Sequence, residues 1–186
     1  MSDARQPALA EWRAELLRQS ERARTIAAGL TPAQIVQPPA AGKWSVAHCL
    51  EHLATTIGSF CPYLESAIAR GEGSPPPAPP PYRPGRFARW FIRMAGPGGR
   101  PVPAPKVYRP PVEPSPRAAE LFAEAQSALL ALLRRADAID LNRWKLRSPA
   151  TPLLRFRVGE AFELLIRHND RHLDQAERAR AAVAGK

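Results

Sequence analysis

Cysteine is nearly absent from this chain: 186 residues hold only Cys49 and Cys61. A secreted domain built on a disulfide framework usually carries more. The two lie on one predicted helix, several turns apart, too far for an intrahelical bridge. They read as small, reduced, packed thiols. Long apolar runs are missing as well. None approaches the ~20 residues that span a bilayer, and "MSDARQPALAEWRAELL" lacks the apolar core of a signal peptide. A cytoplasmic protein without a membrane partner is expected. Alternating strand patterns of useful length are absent, which points away from a sheet protein.

Acid is in deficit. Lys and Arg number 27 against 17 Asp and Glu, a formal net charge of +10. Such a balance invites a nucleic-acid partner. The distribution argues otherwise, because many arginines are interleaved with acids on helices, as in "RQSERAR" and "AERARAA", and read as solvated faces. No nucleic-acid motif is present, and a small-molecule partner is expected instead.

What remains is helical. The hydrophobic share of 45% supports one packed domain over residues 1–186. Four stretches carry three/four spacing: about 8–30 with Leu9, Trp12, Leu16 and Ile26; 45–70 with Val46, Leu50, Leu53, Ile57 and Leu64; 116–138 with Phe122, Leu129 and Leu133; and 154–183 with Val158, Phe162, Leu165 and Leu173. Ser45 is set to cap the second helix, with Trp44 before it as a staple on Cys49. Ser115-Pro116 marks the start of the third, and Pro149 and Pro152 bound the start of the last. The expectation is an all-α, four-helix bundle.

Residues 71–116 interrupt the pattern. They hold 15 of the 22 prolines, and seven basic residues against Glu72 and Glu113. "GEGSPPPAPPP" reads as a polyproline spacer. "GRFARWFIRMAG" makes one short amphipathic turn or two, and "PVPAPKVYRPP" runs extended. A loop this long fits a crossover running the length of a bundle. Its aromatics are expected to pack over one end, or, if exposed, to mediate a homodimer.

All four histidines fall in i,i+4 pairs: His48 and His52, His168 and His172. On the last helix His172 lies about 40° from the centre of the apolar stripe and His168 about 80°. A buried imidazole needs hydrogen-bond partners or a metal. Two at i,i+4 present their nitrogens to one point, as in helical zinc sites. Gln175 is placed to orient a ligand. His52 lies about 120° from its own stripe, where a neighbouring helix can still meet it. His48 stands three residues after Ser45, where capping explains it. Cys49 is a weaker candidate ligand. On these residues alone, a metal site and a set of satisfied core histidines both stand.

"GKWSVAHCLEHLATT" resembles the second-helix signature of the DinB-like four-helix-bundle superfamily. "LLIRHNDRHLDQ" resembles its closing H-x-x-x-H-x-x-Q helix, and the Pro-rich middle is similar to the crossover of one branch. The resemblance covers about residues 8–180. It implies a metal triad of His52, His168 and His172, with zinc, nickel or ferrous iron as the divalent ion. His48 departs from the Glu or Gln more usual at its position, and no metal role is carried to it. Members include bacillithiol S-transferases, mycothiol-dependent isomerases and metal-dependent hydrolases. The resemblance therefore implies a metal-dependent transfer of a low-molecular-weight thiol to electrophiles. The alternatives are hydrolysis, or a non-enzymatic, stress-linked bundle.

Overall fold

Each apolar stripe becomes a helix in the computed structural model, which describes residues 6–76, 78–100 and 103–184. The long helices are α1 (Pro7–Ala27), α3 (Val46–Glu72), α5 (Ala118–Arg135) and α6 (Val158–Val183). Shorter ones are α2 (Pro32–Val36) and α4 (Arg86–Ala95). Helix α3 packs on α5 and α6, and α1 closes the ring against the same two. The result is a four-helix bundle. Leu16, Leu50, Leu53, Ile57, Phe122, Leu129 and Phe162 fill its centre, each fully buried. At roughly 1.5–3 kcal/mol for each large apolar side chain, this burial is the main force holding the helices together.

The helix starts follow local chemistry. The Ser45 hydroxyl accepts from the His48 amide at 3.2 Å, and His48 Nδ1 returns to the Ser45 amide at 3.3 Å. A histidine thus completes a capping box usually closed by Glu or Gln. At α6 the buried Glu160 carboxylate accepts from the Arg157 amide at 2.8 Å and from the Gly85 amide at 2.9 Å. One side chain therefore caps a helix and anchors the crossover. Pro62 withdraws one hydrogen bond from the middle of α3. The carbonyl it frees belongs to Gly58, on an exposed face where water can satisfy it.

Two expectations about boundaries need correction. The last helix does not begin near residue 154, because residues 145–157 form an antiparallel hairpin, β1 (Lys145–Ser148) and β2 (Thr151–Arg157), with Leu146 opposite Phe156. Both of those residues are buried, and Phe156 packs on Phe60 and Phe91. Pro149 therefore sits in a hairpin turn and Pro152 in a strand, and α6 starts at Val158. Helix α5 starts at Ala118, not at Pro116. The Ser115 hydroxyl accepts from the Arg117 amide in the turn before it, at 3.1 Å. Trp44, placed before the Ser45 cap, also lays its ring against two imidazoles.

The crossover is partly ordered by aromatics. Tyr82 meets Trp12 edge-on at 4.9 Å and gives its hydroxyl proton to Glu163 at 2.7 Å. Its ring lies so close to Gly159 that a β-carbon there would collide with it. Helix α4 packs on α6 through Ala88 and Ile92. Phe91 and Tyr108 are half-buried, but Phe87 and Trp90 stay more than half exposed, at 57% and 51%. The aromatics therefore divide between the bundle and solvent, because ten helical residues point their side chains all round.

A second polar feature lies inside the bundle. Gln19, Gln126 and Asn169 are all buried. Gln19 Nε2 donates to the Ile166 carbonyl and to Asp170, both at 2.9 Å. Asn169 Nδ2 donates to Gln19 Oε1 at 2.9 Å, and Gln126 Nε2 to the Leu16 carbonyl at 3.3 Å. These bonds tie α1, α5 and α6 one residue away from His168.

Candidate metal centre

His52, His168 and His172 meet, and each brings one ring nitrogen within 4.8 Å of the other two. Among the described residues no other set of His, Cys, Asp or Glu does this. His172 comes from the core face of α6, and His168 from one turn earlier, partly exposed. His52 is only 2% exposed although it lies on the flank of its own helix. The wheel of α3 does not show why; the crossover does, because Tyr108 lies against that flank.

Two of the rings are held from the far edge. His52 Nδ1 stands 2.5 Å from the Tyr108 carbonyl oxygen. A carbonyl only accepts, so Nδ1 carries the proton and Nε2 keeps its lone pair. His172 Nδ1 stands 3.0 Å from Gln175 Oε1, and the same reasoning applies when the amide turns its oxygen to the ring. These two acceptors set the tautomers of His52 and His172, the arrangement found behind metal-ligating histidines.

The inner edges then face each other. His52 Nε2 and His168 Nε2 are 2.9 Å apart. His52 Nε2 is a lone-pair acceptor, so without an ion His168 supplies the proton between them, and a bound ion takes that proton's place. Nitrogens bound to one ion at about 2.0–2.1 Å stand about 2.9–3.3 Å from each other at right-angled or tetrahedral geometry. The donor set and its spacing fit a divalent ion.

The rings do not readily take up a further, charging proton. Burial, then the neighbouring His52, holds His168 down to about 3. Burial, then His168 and His52, holds His172 down to about 2. Burial also lowers His52, against a smaller opposing effect of the Tyr108 carbonyl. All three are neutral near pH 7, the form in which imidazole binds a metal.

Trp44 covers the group. Its ring centre is 4.9 Å from that of His52 and 5.6 Å from that of His172, stacked on the latter. The sequence matches the DinB superfamily over residues 15–176. The chain belongs to the DinB superfamily. Comparison with curated proteins and with solved structures gave no match. His52, His168 and His172 all lie within the matched span.

Other candidate residues of this DinB-superfamily chain fall outside the group. His48 is engaged in its capping box, and its Nδ1 also meets the Ser45 hydroxyl at 2.7 Å. Cys49 is fully buried, and Cys49 and Cys61 are both free thiols. Glu51 accepts from the Ser115 amide at 2.6 Å, and Asp174 accepts from Arg22 at 2.6 Å. Gln175 takes the orienting position its spacing gave it. The Tyr108 carbonyl carried no sequence signal, because any residue supplies a carbonyl.

Proposed function

We propose that this chain is a metal-dependent enzyme that transfers a low-molecular-weight thiol to electrophilic small molecules. His52, His168 and His172 hold the divalent ion. The observation that carries the reading is the meeting of three imidazoles at one point, with His52 and His172 oriented from behind by the Tyr108 carbonyl and by Gln175. A structural zinc is normally closed by four protein ligands, whereas three imidazoles leave positions open for water or substrate. When bound, the ion supplies Lewis-acid activation, lowering the pKa of a thiol or water bound beside it.

The residues around the rings favour thiol transfer over hydrolysis. Hydrolysis calls for a nearby general base. The closest carboxylates in sequence, Glu51 and Asp174, are engaged by the Ser115 amide and by Arg22. The chain's own thiols are not nucleophiles, since burial pushes Cys49 up to about 12 and Cys61 up to about 11. The reacting thiol must therefore come from outside. Trp44 excludes water from one side of the imidazoles and offers an apolar wall to the electrophile.

The test is elemental mass spectrometry on untagged protein beside a His52→Ala/His168→Ala/His172→Ala variant, followed by turnover of electrophiles with and without an added low-molecular-weight thiol. Near-stoichiometric metal in the parent alone, with turnover that requires the thiol, supports the reading. Turnover with water alone replaces it by hydrolysis. Absence of metal after incubation with zinc, nickel or ferrous iron overturns it.

A further inference from the structure

Three backbone carbonyls of the crossover hydrogen-bond the α6 and α3 surface that carries the imidazoles. The Tyr108 carbonyl accepts from His52 at 2.5 Å. Arg171, between the two α6 histidines, donates to the Met94 carbonyl and to the Arg100 carbonyl, each at 3.1 Å. Thus Met94 and Arg100 are fastened to the residue between His168 and His172, and Tyr108 to His52 itself. Sequence-distant backbone does the work that side chains do for His172.

We infer that the crossover is the outer shell of the metal centre, so that metal affinity and docking of residues 94–100 and 103–108 are coupled. This rests on the metal reading above and deepens it. The physics is direct. With the Tyr108 carbonyl in place, His52 has one tautomer and one ring orientation. Without it, either nitrogen takes the proton and the ring is free to turn. Orienting bonds of this kind typically contribute ten- to a hundredfold in metal affinity. Linkage requires the reverse effect as well: an ion held by the three rings stabilises the docked crossover by the same factor.

Gly99 and Arg171 are the positioning residues, and neither touches the meeting point of the rings. A β-carbon on Gly99 would run into the Met94 carbonyl and the Arg171 guanidinium. Gly99→Ala therefore displaces the segment while leaving all three histidines unchanged. Arg171→Met removes two fastening bonds and also one positive charge beside the site. Loss of a like charge alone would tighten cation binding, whereas loss of docking weakens it, so the two explanations carry opposite signs.

The experiment is a zinc competition titration against a chromogenic chelator on the full chain, with circular dichroism to confirm the helical bundle. Hydrogen exchange of residues 94–100 and 103–108 is followed with and without zinc. Gly99→Ala and Arg171→Met are expected to bind zinc ten- to a hundredfold more weakly than the parent. Zinc is expected to slow exchange across the segment in the parent and far less in either variant. Intact variants that bind zinc as tightly as the parent overturn the coupling and leave the metal reading standing. A parent that binds no zinc overturns both.

Discussion

His52 and His168 turn their Nε2 atoms toward each other at 2.9 Å across two helices that are 116 residues apart in the chain. His52 cannot donate there while its Nδ1 proton is committed to the Tyr108 carbonyl, so His168 donates when no ion is bound. An ion takes the place of that proton. Nitrogen-15 spectra of the imidazoles, recorded with and without zinc, check this. Both Nε2 resonances are expected to move on zinc addition, while the His52 Nδ1 proton remains.

Acid should weaken the metal-free protein. An unfolded histidine titrates near 6.5, while the folded His168 and His172 titrate near 3 and 2. Lowered folded values mean that the unfolded chain takes up protons first. Stability is therefore full above about pH 6.5 and falls as pH drops toward 3. By pH 5 the loss is on the order of 2 kcal/mol for each buried imidazole. Urea midpoints from pH 8 to 5 in chelator check this, and the triple alanine variant should show a flatter profile.

Trp44 should report the site optically. Its ring lies on His52 and His172, far closer than an emission change requires. Zinc titration is expected to alter tryptophan emission in the parent but not in Trp44→Phe, which should still bind the ion. An unchanged titration signal in that variant would assign the change to another tryptophan.

Asn169 should cost more than its size. Asn169→Leu leaves Gln19 Oε1 without its short donor inside the bundle. A buried polar atom stripped of its partner costs about 1–3 kcal/mol. Gln19→Leu should cost a similar amount, and the double variant less than the sum, because each single change orphans the other's group. Chemical denaturation of the three variants checks the cycle.

The hairpin carries an electrostatic strain that substitution should relieve. Lys145 stands opposite Arg157, and Arg147 opposite Arg155. Like charges directly across a ladder destabilise it. Arg155→Glu is expected to raise stability by roughly 0.2–1 kcal/mol, with the gain shrinking in high salt as screening removes the repulsion. Thermal melts at two ionic strengths check it.

The helices were legible because Leu50, Leu53, Ile57 and their counterparts repeat with the helical period, and because Ser45 marks a start. The hairpin was not, because β1 has four residues and β2 places Pro152 and two leucines in succession, which breaks the strand alternation. His172 was legible from its core position on α6. His52 was legible only through the resemblance, because the wheel of α3 puts it on a flank. What buries it is Tyr108, 56 residues later. Short-range periodicity cannot register such a contact, and a carbonyl partner leaves no trace in side-chain identity. Trp44 was visible as part of a motif, but its place over the imidazoles depends on α3 and α6 packing together.

The two bonds that Arg171 makes also divide the crossover by its tolerance for insertion and deletion. Before α4, the run of prolines in the sequence serves as a spacer, and a spacer tolerates residues gained or lost. Between Met94 and Arg100 the chain is a measured span, because both carbonyls accept from one guanidinium. One residue added or removed there would pull a carbonyl off its donor or force the segment to buckle. Homologous chains should therefore vary freely in length on one side of α4 and hold a nearly constant count on the other.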